Sequence, residues 1–377
     1  MDIHQLKDEI IAYSKGIGID KIGFTTADPF LELKNRLLRQ QELGYQSGFE
    51  EPDIEKRVTP TLLLDGAQSI ISIALAYPSK MSNRVESKKG ARRGMFARAS
   101  WGQDYHHVLR DRLGKLESFI LSKVPEARLK MMVDTGELSD RAVAERAGIG
   151  WSGKNCAIIT PEFGSYVYIG EMITNIPFAP DALVEDQCGD CTKCLDACPT
   201  GALVQGGQIN AQSCISFLTQ TKELIPDEFR EKIGNRIYGC DSCQTACPHN
   251  KGKNFHFHEE MEPDPEAVKP LLRPILKLSN REFKQKFGTL AGSWRGKKPI
   301  QRNAIIALAH FKDETAVGDL VDVLENDANP VAKGTAAWAL GKIGGEAALA
   351  ALEKAREREN DADVQNEIEK GLNLIRY

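Results

Sequence analysis

Eight of the nine cysteines fall between Cys188 and Cys247, and the first run reads Cys188-x2-Cys191-x2-Cys194-x3-Cys198-Pro199. This is the spacing with which bacterial ferredoxins ligate cubane iron–sulfur clusters. The second run is broken, with Cys214 alone and then Cys240-x2-Cys243-x3-Cys247-Pro248. In two-cluster proteins the fourth cysteine of each run ligates the other cluster. Cys188, Cys191, Cys194 and Cys247 are therefore expected to hold one [4Fe–4S] cluster, and Cys198, Cys214, Cys240 and Cys243 the second. A pair of four-thiolate zinc sites would also use cysteines two residues apart, but a third cysteine at that spacing and a proline after the fourth suit cubanes better. Disulfides suit the chain less. It begins MDIHQLKDEI, with no apolar signal segment, and Arg92-Arg93 lies too deep for an export signal, so a cytoplasmic location is expected. The ninth cysteine, Cys156, is expected to be a packed thiol beside a strand.

Three further features could do chemistry. Asp134-Thr135-Gly136 places a carboxyl at a turn, where aspartate also serves as a plain turn or capping residue. An aspartic-protease reading needs two such carboxylates sharing a proton, and this tripeptide occurs once. Gly148, Gly150 and Gly153 let backbone approach a ligand closely, but the segment is neither GxxxxGK[ST] nor a dinucleotide fingerprint. Between Lys269 and Arg302 ten basic residues face one acid, Glu282, in a chain of net charge −4. Such a run suggests a polyanionic partner, although a solvated helical face would carry the same charge.

At 377 residues, two or three domains are expected, with no segment of membrane-spanning length. The class is α+β. Residues 1–180 read as an α/β domain, with strands at Lys21–Thr25, at Ser69–Tyr77 (buried on both faces) and at Leu129–Val133. Helices are expected at Tyr105–Lys123 and Arg141–Ala147, and a strand pair at Ala157–Thr160 and Ser165–Thr174. The polar, basic segment Arg84–Gly94 reads as a mobile loop. Residues 181–250 form a ferredoxin-like two-cluster domain, and 251–268 an acidic connector with prolines. In the remainder, residues 303–309, 335–341 and 367–372 repeat at intervals of 32, each an alanine- or glycine-bearing helical stretch. A short HEAT-like solenoid follows, so that 251–377 is a basic connector and a repeat domain.

Two clusters account for electron transfer but not for 180 residues in front of them. Those residues carry Arg57-x2-Pro60-x-Leu62-Leu63, Ala97-Arg98-x2-Trp101-Gly102-x-Asp104-Tyr105-His106, Val133-Asp134-Thr135-Gly136 and Ala147-Gly148-Ile149-Gly150-Trp151-x-Gly153-Lys154-Asn155. With Cys214-Ile215-Ser216-Phe217 and Gly239-Cys240-Asp241-x-Cys243-Gln244, the set resembles epoxyqueuosine reductases, cobalamin-dependent iron–sulfur enzymes that complete queuosine in tRNA. The match runs from about Arg57 to Asn303, and the repeat tail agrees. Two departures stand out: Glu137-Leu138-Ser139-Asp140-Arg141 replaces the usual proline and Glu-Arg pair, and Cys156 replaces threonine.

The resemblance implies a nitroreductase-like, cobalamin-binding first domain, low-potential electrons passing through the clusters to cobalt, and attack of the reduced cobalt on the epoxide. Asp134 is then the proton donor, in an apolar setting that raises its pKa. Tyr105 and His106 are expected at the cobalt face, with Ala97, Arg57, Arg141 and Lys154 holding the corrin and Ser216 and Asp241 approaching from the cluster side. No Asp-x-His-x2-Gly motif follows Asp104, so a base-off cobalamin without a histidine in its place is implied. The basic stretch then meets tRNA bearing epoxyqueuosine, through Lys222, Arg281, Lys297, Lys298 and Arg302. Electrons would come from a low-potential donor such as flavodoxin or ferredoxin, to a protein expected to act as a monomer. The competing readings are a cobalamin reductase of a small molecule, resembling reductive dehalogenases, and a non-catalytic electron-transfer subunit.

Overall fold

The computed structural model describes residues 2–376. They form two compact units, one of residues 2–80, 103–214 and 241–262, the other of 81–102, 215–240 and 263–376. Both units draw on separate stretches of the chain. Residues 81–102 and 215–240 pack with the helical tail because Met95–Phe96 pairs in parallel with Arg236–Tyr238, whose Ile237 carbonyl accepts a hydrogen bond from Asn303.

The first unit is built on an antiparallel sheet of β1 (Lys21–Thr26), β2 (Ser69–Ala76), β3 (Leu129–Met132) and β4 (Val167–Thr174), in the order β1-β2-β4-β3. Every residue of β2 is buried, as its unbroken apolar run requires of a central strand covered on both faces. One face carries α1 (Ile3–Gly16) and α2 (Tyr105–Lys123). Leu109, Leu113, Leu116 and Ile120 of α2 recur at helical spacing and are fully buried, and Asp104 caps the helix by accepting the His106 N–H. The other face carries α3 (Asp140–Arg146), whose Val143 and Ala144 are fully buried.

The expected strand pair across Pro161–Gly164 does not form. Ile158–Ile159 pairs with Trp151–Ser152 instead, and β4, apolar toward both sides, lies between β2 and β3, leaving one bridge from Thr160 to Gly164.

In the second unit α4 (Lys297–His310), α5 (Val317–Asn326), α6 (Pro330–Ile343), α7 (Glu346–Arg358) and α8 (Ala362–Arg376) carry the repeat. The repeat's small residues let helices meet closely: a Cβ on Gly341 of α6 would come within 2.5 Å of the Gly371 backbone on α8. The segment Arg84–Gly94, expected to be mobile, is pinned. Arg93 bridges to Leu271 and pairs with Glu266 at 2.9 Å, and Lys88 bridges to Ala91. Among the described residues no helix is long and apolar enough to cross a membrane.

Candidate active site

Asp134 follows β3 directly and adopts φ 54°, a left-handed conformation that aspartate tolerates better than most residues. It caps no helix, since Ser139 occupies the N-cap of α3. Its Oδ2 lies 3.2 Å from His106 Nε2, and His106 Nδ1 lies 2.7 Å from Asp104 Oδ1. One imidazole therefore joins two carboxylates, and the start of α2 positions it. Burial works against a charge on His106, but its hydrogen bonds to Asp104 and Asp134 prevail and raise its pKa to about 9. The hydrogen bond from His106 holds Asp134 below the ordinary aspartate range, opposed by burial.

This corrects the expectation of a raised Asp134 pKa. The Asp134 side chain is 58% exposed, so no apolar wall holds its proton; the proton sits on His106. Tyr105 stacks on His106 at 4.2 Å and on Tyr168 at 4.6 Å, so a three-ring stack backs the imidazole. Asp241 is buried in the same unit, and with Tyr77 and Asp104 it adds to the burial that raises the Tyr168 hydroxyl well above the tyrosine range.

Cys188, Cys191, Cys194 and Cys247 line one cavity with Lys154, Asn155, Ile159, Pro248 and His249. Burial raises the thiols of Cys194 and Cys247, and neighbouring thiols of the same set raise them further. Four thiols gathered on one cavity, two of them pushed toward the neutral form, are a poor arrangement unless a cationic centre binds them, which fits a cubane cluster. The Trp151 indole N–H points at Cys188 Sγ from 3.4 Å, a contact for which the sequence carried no sign beyond a tryptophan in a glycine-rich segment. Cys198, Cys214 and Cys243 lie in the same unit, and Cys240 falls in the second. Although burial opposes it, donation from backbone N–H groups of Leu203 and Thr200 holds the Cys198 thiol below its ordinary pKa, as a thiolate ligand needs.

The other expected corrin contacts divide. Arg57 stays in the first unit, its pKa lowered by burial and supported by Glu50, Glu51 and Asp140. Arg141 lies by Cys156, where its charge partly offsets the rise that burial imposes on that thiol. Cys156 is thus the packed thiol expected, at φ 63°. Lys154 stands in the wall of the cysteine cavity with its ammonium on the Gly189 carbonyl. Ala97 and Ser216 lie in the second unit.

Arg302 is corrected outright. It is 0% exposed, and its guanidinium donates to the carbonyls of Leu218, Thr221 and Glu223 and to Asn303. The chain's basic run had hidden a structural arginine that closes the 218–223 loop. Arg302→Ala removes the guanidinium from the buried Leu218 carbonyl and the half-buried Thr221 and Glu223 carbonyls and empties its own buried site, and is expected to destabilise the protein by about 2–3 kcal/mol, read as a lowered denaturation midpoint. Lys297 donates to the Leu278 carbonyl at 2.8 Å, and Arg273 and Lys277 pair with Asp319 at 2.6 and 2.9 Å, so much of the run is spent within the fold. Lys222, Arg281 and Lys298 are exposed. Trp294, 53% exposed beside Arg295, was missed; its signal was an aromatic residue inside the basic run.

A thiol-lined cluster site and an acid–imidazole–acid group in one unit, with an alanine-rich helical repeat in the other, are the parts of an iron–sulfur oxidoreductase with a helical-repeat tail. Family profiles agree in each part: residues 57–135 match "Epoxyqueuosine reductase QueG", residues 187–250 a 4Fe-4S double cluster binding domain, and residues 295–373 HEAT repeats. The epoxyqueuosine reductase of Bacillus cereus is 68% identical over 375 residues, covering 100% of this chain and 99% of that one. A crystal structure of epoxyqueuosine reductase with an epoxyqueuosine-modified tRNA-Tyr stem loop superposes with a TM-score of 0.98 at 67% identity, covering 100% of both chains. A structure of the Bacillus subtilis enzyme, described as having its Asp134 catalytic loop swung out of the active site, gives 0.97 at 66% identity, covering 99% of this chain and 100% of that one. The chain belongs to the epoxyqueuosine reductase family of oxidoreductases.

Proposed function

We propose that this chain reduces epoxyqueuosine to queuosine at the anticodon wobble position of tRNA, with Asp134 as the proton donor. Per turnover the epoxide takes up two electrons and two protons and yields the alkene and water. The residues fit a base-off cobalamin in one specific respect. Both nitrogens of His106 are engaged by carboxylates, which leaves no lone pair for cobalt. When bound, cobalamin supplies the low-valent cobalt nucleophile, and two [4Fe–4S] clusters on the two sets of four cysteines supply its electrons from a flavodoxin- or ferredoxin-like donor.

The protein's share is the proton traffic. The Asp134–His106–Asp104 arrangement carries this reading. As a substrate base covers the exposed Asp134 carboxyl, lost solvation favours its neutral form, and the His106 imidazolium is 3.2 Å away to supply the proton. Asp134 then protonates the oxygen released from the ring, and His106, held in orientation by Asp104, reloads from solvent. The decisive experiment is mass spectrometry of nucleosides from epoxyqueuosine-bearing tRNA incubated with reduced protein and cobalamin. Queuosine forms under this reading, and unchanged epoxyqueuosine refutes it.

A pH profile follows. His106 is charged below its folded value of about 9 and neutral above it, so the single-turnover rate should fall as pH rises through about 9. His106→Asn should lower the rate and remove that limb; an unchanged limb would assign the titration to another group.

tRNA binding is assigned to the exposed cations Lys222, Arg281 and Lys298, with Trp294 offering a face for an unstacked base. Replacing the three cations with alanine should weaken tRNA binding and flatten the log–log salt dependence by about two to three units. Filter binding at several salt concentrations checks this, and an unaltered slope removes these residues from the interface.

A further inference from the structure

Beneath the Asp134 loop lies a second acidic group that the proton traffic above does not use. Glu171, in the interior of β4, is fully buried and pairs in register with Ser72 of β2 and Met132 of β3. Neither of its carboxyl oxygens has a hydrogen-bond partner of regular geometry, nor does the buried Ser72 hydroxyl. Asp140, the first residue of α3, is close enough for the two carboxyls to act on each other. Its Oδ2 accepts the Asp134 backbone N–H at 2.8 Å. The other charges reaching Asp140 are the Asp134 carboxylate and the Arg57 guanidinium, the latter shared with Glu50 and Glu51.

Two adjoining carboxylates in the interior cannot both ionise, and a carboxylate without a partner there takes up a proton. Burial and the Asp140 charge both raise Glu171 well above the carboxylate range, whereas Asp140, raised by burial and by Asp134, reaches only about 6. At neutral pH the proton therefore belongs to Glu171 and the negative charge to Asp140.

We propose that Glu171 remains protonated and hydrogen-bonds to Asp140, and that this pair is the latch of the catalytic loop, leaving Asp140 the charge with which it grips the Asp134 N–H. The grip opposes the strain of a left-handed non-glycine residue and keeps the Asp134 carboxyl toward His106. Asp140 and Glu171 are positioning residues, which rests on the reading of Asp134 as proton donor. No sequence motif marks Glu171; only its burial without a partner does.

Infrared spectroscopy and hydrogen exchange test the latch apart from that reading. The native protein at neutral pH should show the carbonyl band of a buried neutral carboxylic acid, and Glu171→Gln, whose amide also donates to Asp140, should lose the band while keeping kcat within about threefold. Asp140→Ala should speed exchange of the Asp134 amide and lower kcat about tenfold or more at unchanged KM for tRNA. Asp140→Asn, nearly isosteric and still offering a carbonyl acceptor, should restore both. Absence of the band, or unchanged Asp134 exchange in Asp140→Ala, overturns the latch. Faster exchange with an unchanged kcat supports the latch and overturns the donor role of Asp134.

Discussion

Asp134→Ala is expected to lower kcat by about 10²- to 10⁴-fold, the range that a positioned general acid contributes, with iron content and tRNA affinity retained. The carboxyl is 58% exposed, and its side-chain hydrogen bonds go to His106, which keeps Asp104 as its second partner, and to Tyr105, which stays stacked between His106 and Tyr168. Asp134→Asn should lose nearly as much, because an amide fills the same space and bonds to the same imidazole but has no acidic proton to give. The pair of variants thus separates shape from proton donation. Single-turnover measurements with pre-reduced protein isolate the chemical step from electron delivery. Near-native rates in Asp134→Asn would move the donor role to His106 or to water.

What the sequence disclosed depended on whether a feature was local. The cysteine spacing, the span of α2 and the closely matching β1 and β2 follow from patterns within a few residues, and they appear where the periodicity put them. The Asp134-Thr135-Gly136 turn was legible, but the protonation of Asp134 was not, since it depends on His106, 28 positions away, and on solvent access. Arg302 shows the converse error: counted by charge it belonged to a basic surface, whereas its place on α4 turns it inward onto three carbonyls. Glu171 illustrates the same limit. In an apolar strand an acid reads as a surface position, and only the helix covering that face makes it a buried proton carrier. The way the two units interleave these segments had no local signal, because a short parallel pairing of Met95–Phe96 with Arg236–Tyr238 joins stretches about 140 residues apart.

Cys247→Ala is expected to reduce iron from about eight to about four atoms per chain and to abolish turnover with any donor that enters through the first cluster. Cys247 comes from a segment more than fifty residues beyond Cys188, Cys191 and Cys194, yet it lines the same cavity, and its pKa responds to Cys188 and Cys191. Losing the fourth thiolate opens one iron to solvent and leaves three thiols to hold the remainder, of which Cys194 is already disposed by burial toward the neutral, non-ligating form. Cys156→Ala is the matched control: that thiol is also shielded from solvent but lies beside Arg141, outside the residues lining the cavity, and its removal should leave iron and labile sulfide unchanged. Iron and sulfide analysis of both variants, with the electron paramagnetic resonance of the reduced proteins, decides the assignment. Equal iron in Cys247→Ala and the native protein would mean that the fourth ligand is another residue, and stoichiometric zinc in place of iron would overturn the cluster reading altogether.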